Sequence, residues 1–185
     1  MSRWSRWKAE RAQARKVRQI ANGTSEVLTL RSEPLQTAVG RFSGASCTPI
    51  LPIRAAMTLM GRTAMAEVVD GGSLRLRVDD QSFDVAMEWS REGAELQAAS
   101  LESGGQIVAR VAEGDRCTDI HGLGGRLLCQ RRGLFFYDGD RLIGDFQERF
   151  SMSGVMGVRL IREIEPLPVL LFAATRAVYV QPRAG

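Results

Sequence analysis

The sequence predicts a mainly β protein. Its strands form an antiparallel meander closing into a barrel or sandwich, with a basic N-terminal helix before them and a buried apolar helix near the C-terminus. Three observations predict this. From residue 25 onward, apolar residues recur at every second position in short runs. Gly, Asp or Ser separates most of those runs, with no helical stretch of the kind a βαβ unit needs. The last apolar segment, "LPVLLFAATRAVYV" at 167–180, does not alternate at all.

Residues 2–22, "SRWSRWKAERAQARKVRQIAN", are rich in helix formers, and Asn22-Gly23 is a natural stop. Residues 1–23 are therefore read as a helical tail and 24–185 as the β-rich domain. "SEVLTLRS" and "TAVGRFSG" are strand-like. Residues 44–61 are less regular: Pro49 and Pro52 suggest a loop, and Met57 to Met60 a short helix. "TAMAEVV" follows as a strand and stops at Asp70-Gly71-Gly72. Leu74, Leu76 and Val78 face one way and Arg75 and Arg77 the other; after Asp79-Asp80, Phe83, Val85, Met87 and Trp89 share a side. Further strands are expected in "AELQAAS", "QIVARVA", "RCTDIHG", "RLLCQRRG", "LFFYDG", "RLIGDFQERF" and "GVMGVRLIREI". Val169 to Ala174 are consecutive apolar residues, and Ala173 and Ala174 favour a helix there, with "RAVYV" finishing as a strand. A helix apolar on every side must be enclosed, and a β-barrel interior would enclose it.

Charge is segregated. The formal net charge is +4, but residues 1–20 carry seven cations against Glu10, a net of +6, which leaves the rest at −2. The basic pI thus belongs to the tail, and the body is not expected to bind nucleic acid. Both lysines, Lys8 and Lys16, lie in the tail. The arginine bias fits a GC-rich, bacterial genome, and the absence of lysine excludes Schiff-base chemistry from the body. Cys47, Cys117 and Cys129 make no CxxC pair. Without an apolar leader-like segment they are expected to be reduced thiols in a cytoplasmic protein, soluble or peripheral to the membrane. No apolar run is long enough to span a bilayer.

No catalytic, cofactor or metal set is expected. "DGDRLIGD" at 138–145 could hold a divalent cation through Asp138 and Asp140, the basis of an alternative metal-dependent enzyme, but it lacks the EF-hand spacing. Its strand-like flanks favour a hairpin with Asp138-Gly139 as the central pair and Asp140 and Asp145 facing water. "HGLGG" at 121–125 fails both the dinucleotide and the Walker patterns. His121 is the only histidine, and its four-residue spacing from Cys117 makes a poor dyad.

Two stretches, "LFFYDGDRLIGDFQERF" and "LPVLLFAATRAVYV", give the chain a likeness in pattern. Over residues 63–180 it resembles the tubby-like C-terminal domain superfamily, which includes the phospholipid scramblase and LURP-one-related proteins. That resemblance implies a closed antiparallel barrel threaded by a hydrophobic helix, and a lipid-binding alternative for function. It supplies no catalytic constellation, and the body has no lysine to match the family's phosphoinositide-binding basic residues.

The leading expectation is a non-enzymatic binding or assembly subunit. It would dock a partner protein complex or an anionic membrane surface through Arg3, Trp4, Arg6, Trp7, Lys8, Arg11, Arg15, Lys16 and Arg18.

Overall fold

The structure, a computed structural model, describes residues 8–9, 11–18, 26–33, 54–69, 72–90, 95–148, 156–161 and 163–178. Helix α1 comprises residues 8–9 and 11–18. Among the described residues twelve antiparallel strands follow: β1 (Glu26–Glu33), β2 (Arg54–Leu59), β3 (Arg62–Val69), β4 (Ser73–Val78), β5 (Gln81–Trp89), β6 (Leu96–Ser103), β7 (Gln106–Glu113), β8 (Thr118–His121), β9 (Leu127–Arg132), β10 (Phe135–Asp138), β11 (Arg141–Glu148) and β12 (Met156–Leu160). Helix α2 (Pro166–Ala177) is the last described element.

Consecutive strands pair in order from β2 to β12, and β1 closes the barrel. Its first half, Glu26–Thr29, pairs with β12, and its second half, Thr29–Glu33, with β2. Two-residue turns knit much of the meander. Leu59 pairs with Arg62 and Ser103 with Gln106, and between them Met60-Gly61 and Gly104-Gly105 have positive φ at both positions, as a type I′ turn demands.

The interior is filled by the chain itself. Alternation sends Ala55, Met57, Leu59, Leu74, Leu76, Val111, Ile120, Phe136, Phe146, Val158 and Leu160 inward. Helix α2 lies among them and contacts β2, β3, β4, β6, β7 and β8. Val169 to Ala174 have no exposed surface. Pro166 and Pro168 suit the first turn of a helix, where the missing N–H has no partner to lose. The Phe172 ring meets Phe136 and Phe146 edge-on, with centroids 5.5 and 5.3 Å away, a favoured aromatic geometry. The expected buried apolar helix is therefore present, enclosed by the barrel.

Four expectations need correction. Residues 54–59 are strand β2, not a loop or the start of a helix at Met57. Ala55, Met57 and Leu59 point inward between more exposed Arg54, Ala56 and Thr58, so the period of two prevails over the helix preference of Ala and Met. The helix at the C-terminus runs through Arg176 and Ala177, so no strand begins at Arg176. The β10–β11 hairpin turns on Gly139-Asp140, one residue later than expected, because Asp138 pairs with Arg141. Gly139 adopts the positive φ, +58°, and Asp138 remains in the strand. Lastly, Asp145 does not face water; it is 3% exposed. The strand-like segment 37–44 and the loop 44–53 lie outside the described residues.

Candidate docking surface

Much of the charge on the outer wall of the barrel is paired. Arg75 pairs with Asp84 at 2.8 Å, and Glu67 receives Arg77 at 3.1 Å and Arg54 at 3.3 Å. Arg62 reaches Asp79 at 2.6 Å; this guanidinium above all, helped by the Thr63 N–H, holds the Asp79 carboxyl below its usual range. Arg110 makes two bonds to Glu88, 2.8 and 3.1 Å. That fork reaches from β7 to β5 across β6, over Ala98 and Ser100, whose small side chains leave room for it and lie 2% and 5% exposed.

Among the described residues, an inward-facing polar layer interrupts the apolar core. Glu113, Thr118 and Arg131 share the inner face of β7, β8 and β9 through the pairs Glu113↔Thr118 and Thr118↔Arg131. Thr118 Oγ1 donates to Glu113 at 2.8 Å, and Arg176 from the last turn of α2 pairs with the same carboxylate. The guanidinium of Arg131 lies 5.6 Å, and that of Arg176 5.5 Å, from the Phe172 ring centroid. The layer ties the end of α2 to β7. Sequence reasoning missed it because its members are distant along the chain.

Helix α1 is different. At about 100° per residue, Lys8, Arg11, Arg15 and Arg18 fall on one stripe, and all four are exposed. A cleft of about 450 Å³ is lined, among the described residues, by Arg11, Ala14, Arg15 and Arg18. Arg15 and Arg18 have no acidic partner among the described residues, in contrast to Arg54, Arg62, Arg75, Arg77 and Arg110 of the wall. Lys16 and Val17 are turned away from the stripe and are partly buried. Lys16 Nζ donates to Tyr137 Oη at 2.8 Å and lies 5.3 Å from the Phe135 ring centroid and 5.5 Å from that of Tyr137. The structure thus separates Lys16 from the other four described cations of the predicted surface. Arg3, Trp4, Arg6 and Trp7 lie outside the described residues.

The remaining sequence candidates lie apart from this surface. Asp140 is fully exposed on its turn, 3.8 Å from Arg132. Among the described residues no group of three or more His, Cys, Asp or Glu is placed to hold a metal ion. His121 Nδ1 is 3.1 Å from the Gly125 carbonyl and helps to fold the 3₁₀ turn Leu123–Gly125. Cys117 and Cys129 are free thiols, and Cys47 lies outside the described residues. Burial raises the Cys117 thiol above its ordinary pKa, and the charge of Asp119, 3.7 Å away, raises it further. Among the described residues no helix is long and apolar enough to cross a membrane. Compared with protein families, with curated proteins and with solved structures, the chain matches none of them.

Proposed function

We propose that this protein is a non-enzymatic binding or assembly subunit whose N-terminal helix docks on an acidic surface of a partner protein. The observation that carries this is the contrast in charge. Arg54, Arg62, Arg75, Arg77, Arg110 and Arg159 of the barrel are paired with carboxylates, whereas Arg15 and Arg18, on one stripe with Lys8 and Arg11, stand exposed without an acidic partner among the described residues. Arginine suits the role because its planar fork binds carboxylates in pairs of hydrogen bonds. The filled interior favours the same reading, since α2 occupies the space where a barrel of this kind would hold a ligand.

The tubby-like reading, with an anionic lipid surface as the partner, is the second reading; the enclosed helix α2 favours it. One experiment addresses both. The full chain and an Arg15→Gln/Arg18→Gln variant are compared in affinity capture, with partners identified by mass spectrometry, and in co-sedimentation with phosphatidylserine-containing and neutral vesicles. Loss of acidic protein partners from the variant is the expected result. Identical capture by both chains overturns the docking role, and charge-dependent vesicle binding alone transfers it to lipid.

A further inference from the structure

The alternation of β10 sends Phe136 inward, where it is 1% exposed within the core. Phe135 must then point outward, as its partners Arg132 on β9 and Asp145 on β11 do. An outward phenylalanine on a barrel wall would ordinarily be wet, yet Phe135 is only 8% exposed and lies outside the main core cluster. What covers it includes Lys16, whose ammonium sits over the ring. Tyr137, next outward residue on the strand, accepts a hydrogen bond from the same ammonium on its hydroxyl. Arg132 stacks on the Tyr137 ring at 5.3 Å.

We propose that Lys16 is a latch. Its ammonium, seated over the Phe135 ring and bonded to the Tyr137 hydroxyl, holds α1 against β10 and turns the Lys8/Arg11/Arg15/Arg18 stripe away from the wall. The contact suits a cation: an aromatic ring and a phenolic oxygen receive one amine. It is also separable from the barrel, because Phe136, Phe146 and Phe172 complete the core without it. Loss of this single charge frees the helix while the barrel stands. The latch would set how the basic stripe is presented; that consequence rests on the docking role proposed above, whereas the latch itself does not.

Hydrogen–deuterium exchange of the full-length chain tests it. In Lys16→Gln the amides of residues 11–18 are expected to exchange about tenfold faster, the size expected for loss of a cation–ring contact and a hydrogen bond. The exchange of β10 and the thermal midpoint of the barrel stay at wild-type values. Tyr137→Phe, which keeps the ring and removes the hydroxyl, gives a smaller increase, and Lys16→Arg stays nearer wild type. Unchanged exchange in Lys16→Gln overturns the latch, as does a lowered barrel midpoint, which would make Lys16 part of the barrel's own stability. Because exchange is read without any partner, the result stands whether or not the stripe docks on anything.

Discussion

Asp145 and Arg159 form a two-pronged pair on neighbouring strands, at 2.8 and 2.5 Å, with side chains only 4% and 17% exposed. The carboxylate, more than any other influence, holds Arg159 firmly in its charged form. Removing one member strands the other charge out of water, so Asp145→Ala is expected to cost about 3–5 kcal/mol in chemical denaturation. Replacing both by leucine should cost less than the single change, since no charge is then left behind. Cys117 makes a second prediction at this scale. Its raised pKa means that the reactive thiolate appears only above the ordinary thiol range, so alkylation by iodoacetamide at neutral pH should be slow. Asp119→Asn removes the second cause of that shift and should move the midpoint of the rate–pH curve downward while burial still holds it above the free-thiol value. The sequence did not reveal the burial of Asp145, although it places Asp145 next to an inward Phe146. Its environment depends on the register Asp145↔Arg159, which joins residues from two strands and has no local signature.

Among the elements, the β11–β12 contact is the most demanding. A Cβ placed on Gly144 would lie 2.3 Å from the Arg159 carbonyl oxygen and 2.8 Å from Leu160 Cδ2. Backbone cannot yield as a flexible side chain can, so Gly144→Ala is expected to destabilise by about 1–3 kcal/mol, visible as a lower denaturant midpoint with an unchanged slope. Helix α2 carries the complementary prediction. Phe172→Ala empties the place where two rings and two guanidinium groups converge, at a cost of about 3–5 kcal/mol. Elements such as β4 and β5 were legible because strict alternation and a turn pair mark both ends. Strand β2 was misread because Ala and Met favour helices locally; its inward Ala55, Met57 and Leu59 kept the strand period all along. The β10–β11 turn was found but placed one residue early, because Asp-Gly and Gly-Asp are both adequate turn pairs and only cross-strand pairing chooses between them.

Taken whole, the molecule joins a barrel rich in paired charges to a basic helix held at its side. The segregation of charge was legible from composition. Which cation would turn toward the barrel was not, because Lys16 differs from its neighbours only in facing an aromatic pair more than a hundred residues away. The two parts should differ in stability. Since α2 packs against strands all round the barrel, the barrel and its filling are expected to unfold together, with far-ultraviolet circular dichroism and Trp89 fluorescence, read in a Trp4→Phe/Trp7→Phe variant, tracing one coincident transition. The α1 amides should exchange through smaller, local openings, well before that transition. Separate transitions for wall and filling would contradict this account of the core.

The order of assembly follows from where α2 stands in the chain. Every strand of the wall precedes the helix that fills it, and the seam joining β1 to β12 brings together Glu26 and Leu160. A polypeptide made from its N-terminus would therefore expose the inward faces of β2 to β11 before either seam or filling exists. Long-range closure of this kind is slow, because the entropy of joining distant segments is spent before their contacts stabilise anything. Two-residue hairpins let adjacent strands pair early and shelter part of that surface, but the last apolar layer is sealed only when residues 166–177 arrive. For the nascent chain, the period between the emergence of β12 and the seating of α2 is thus when aggregation competes most strongly with folding.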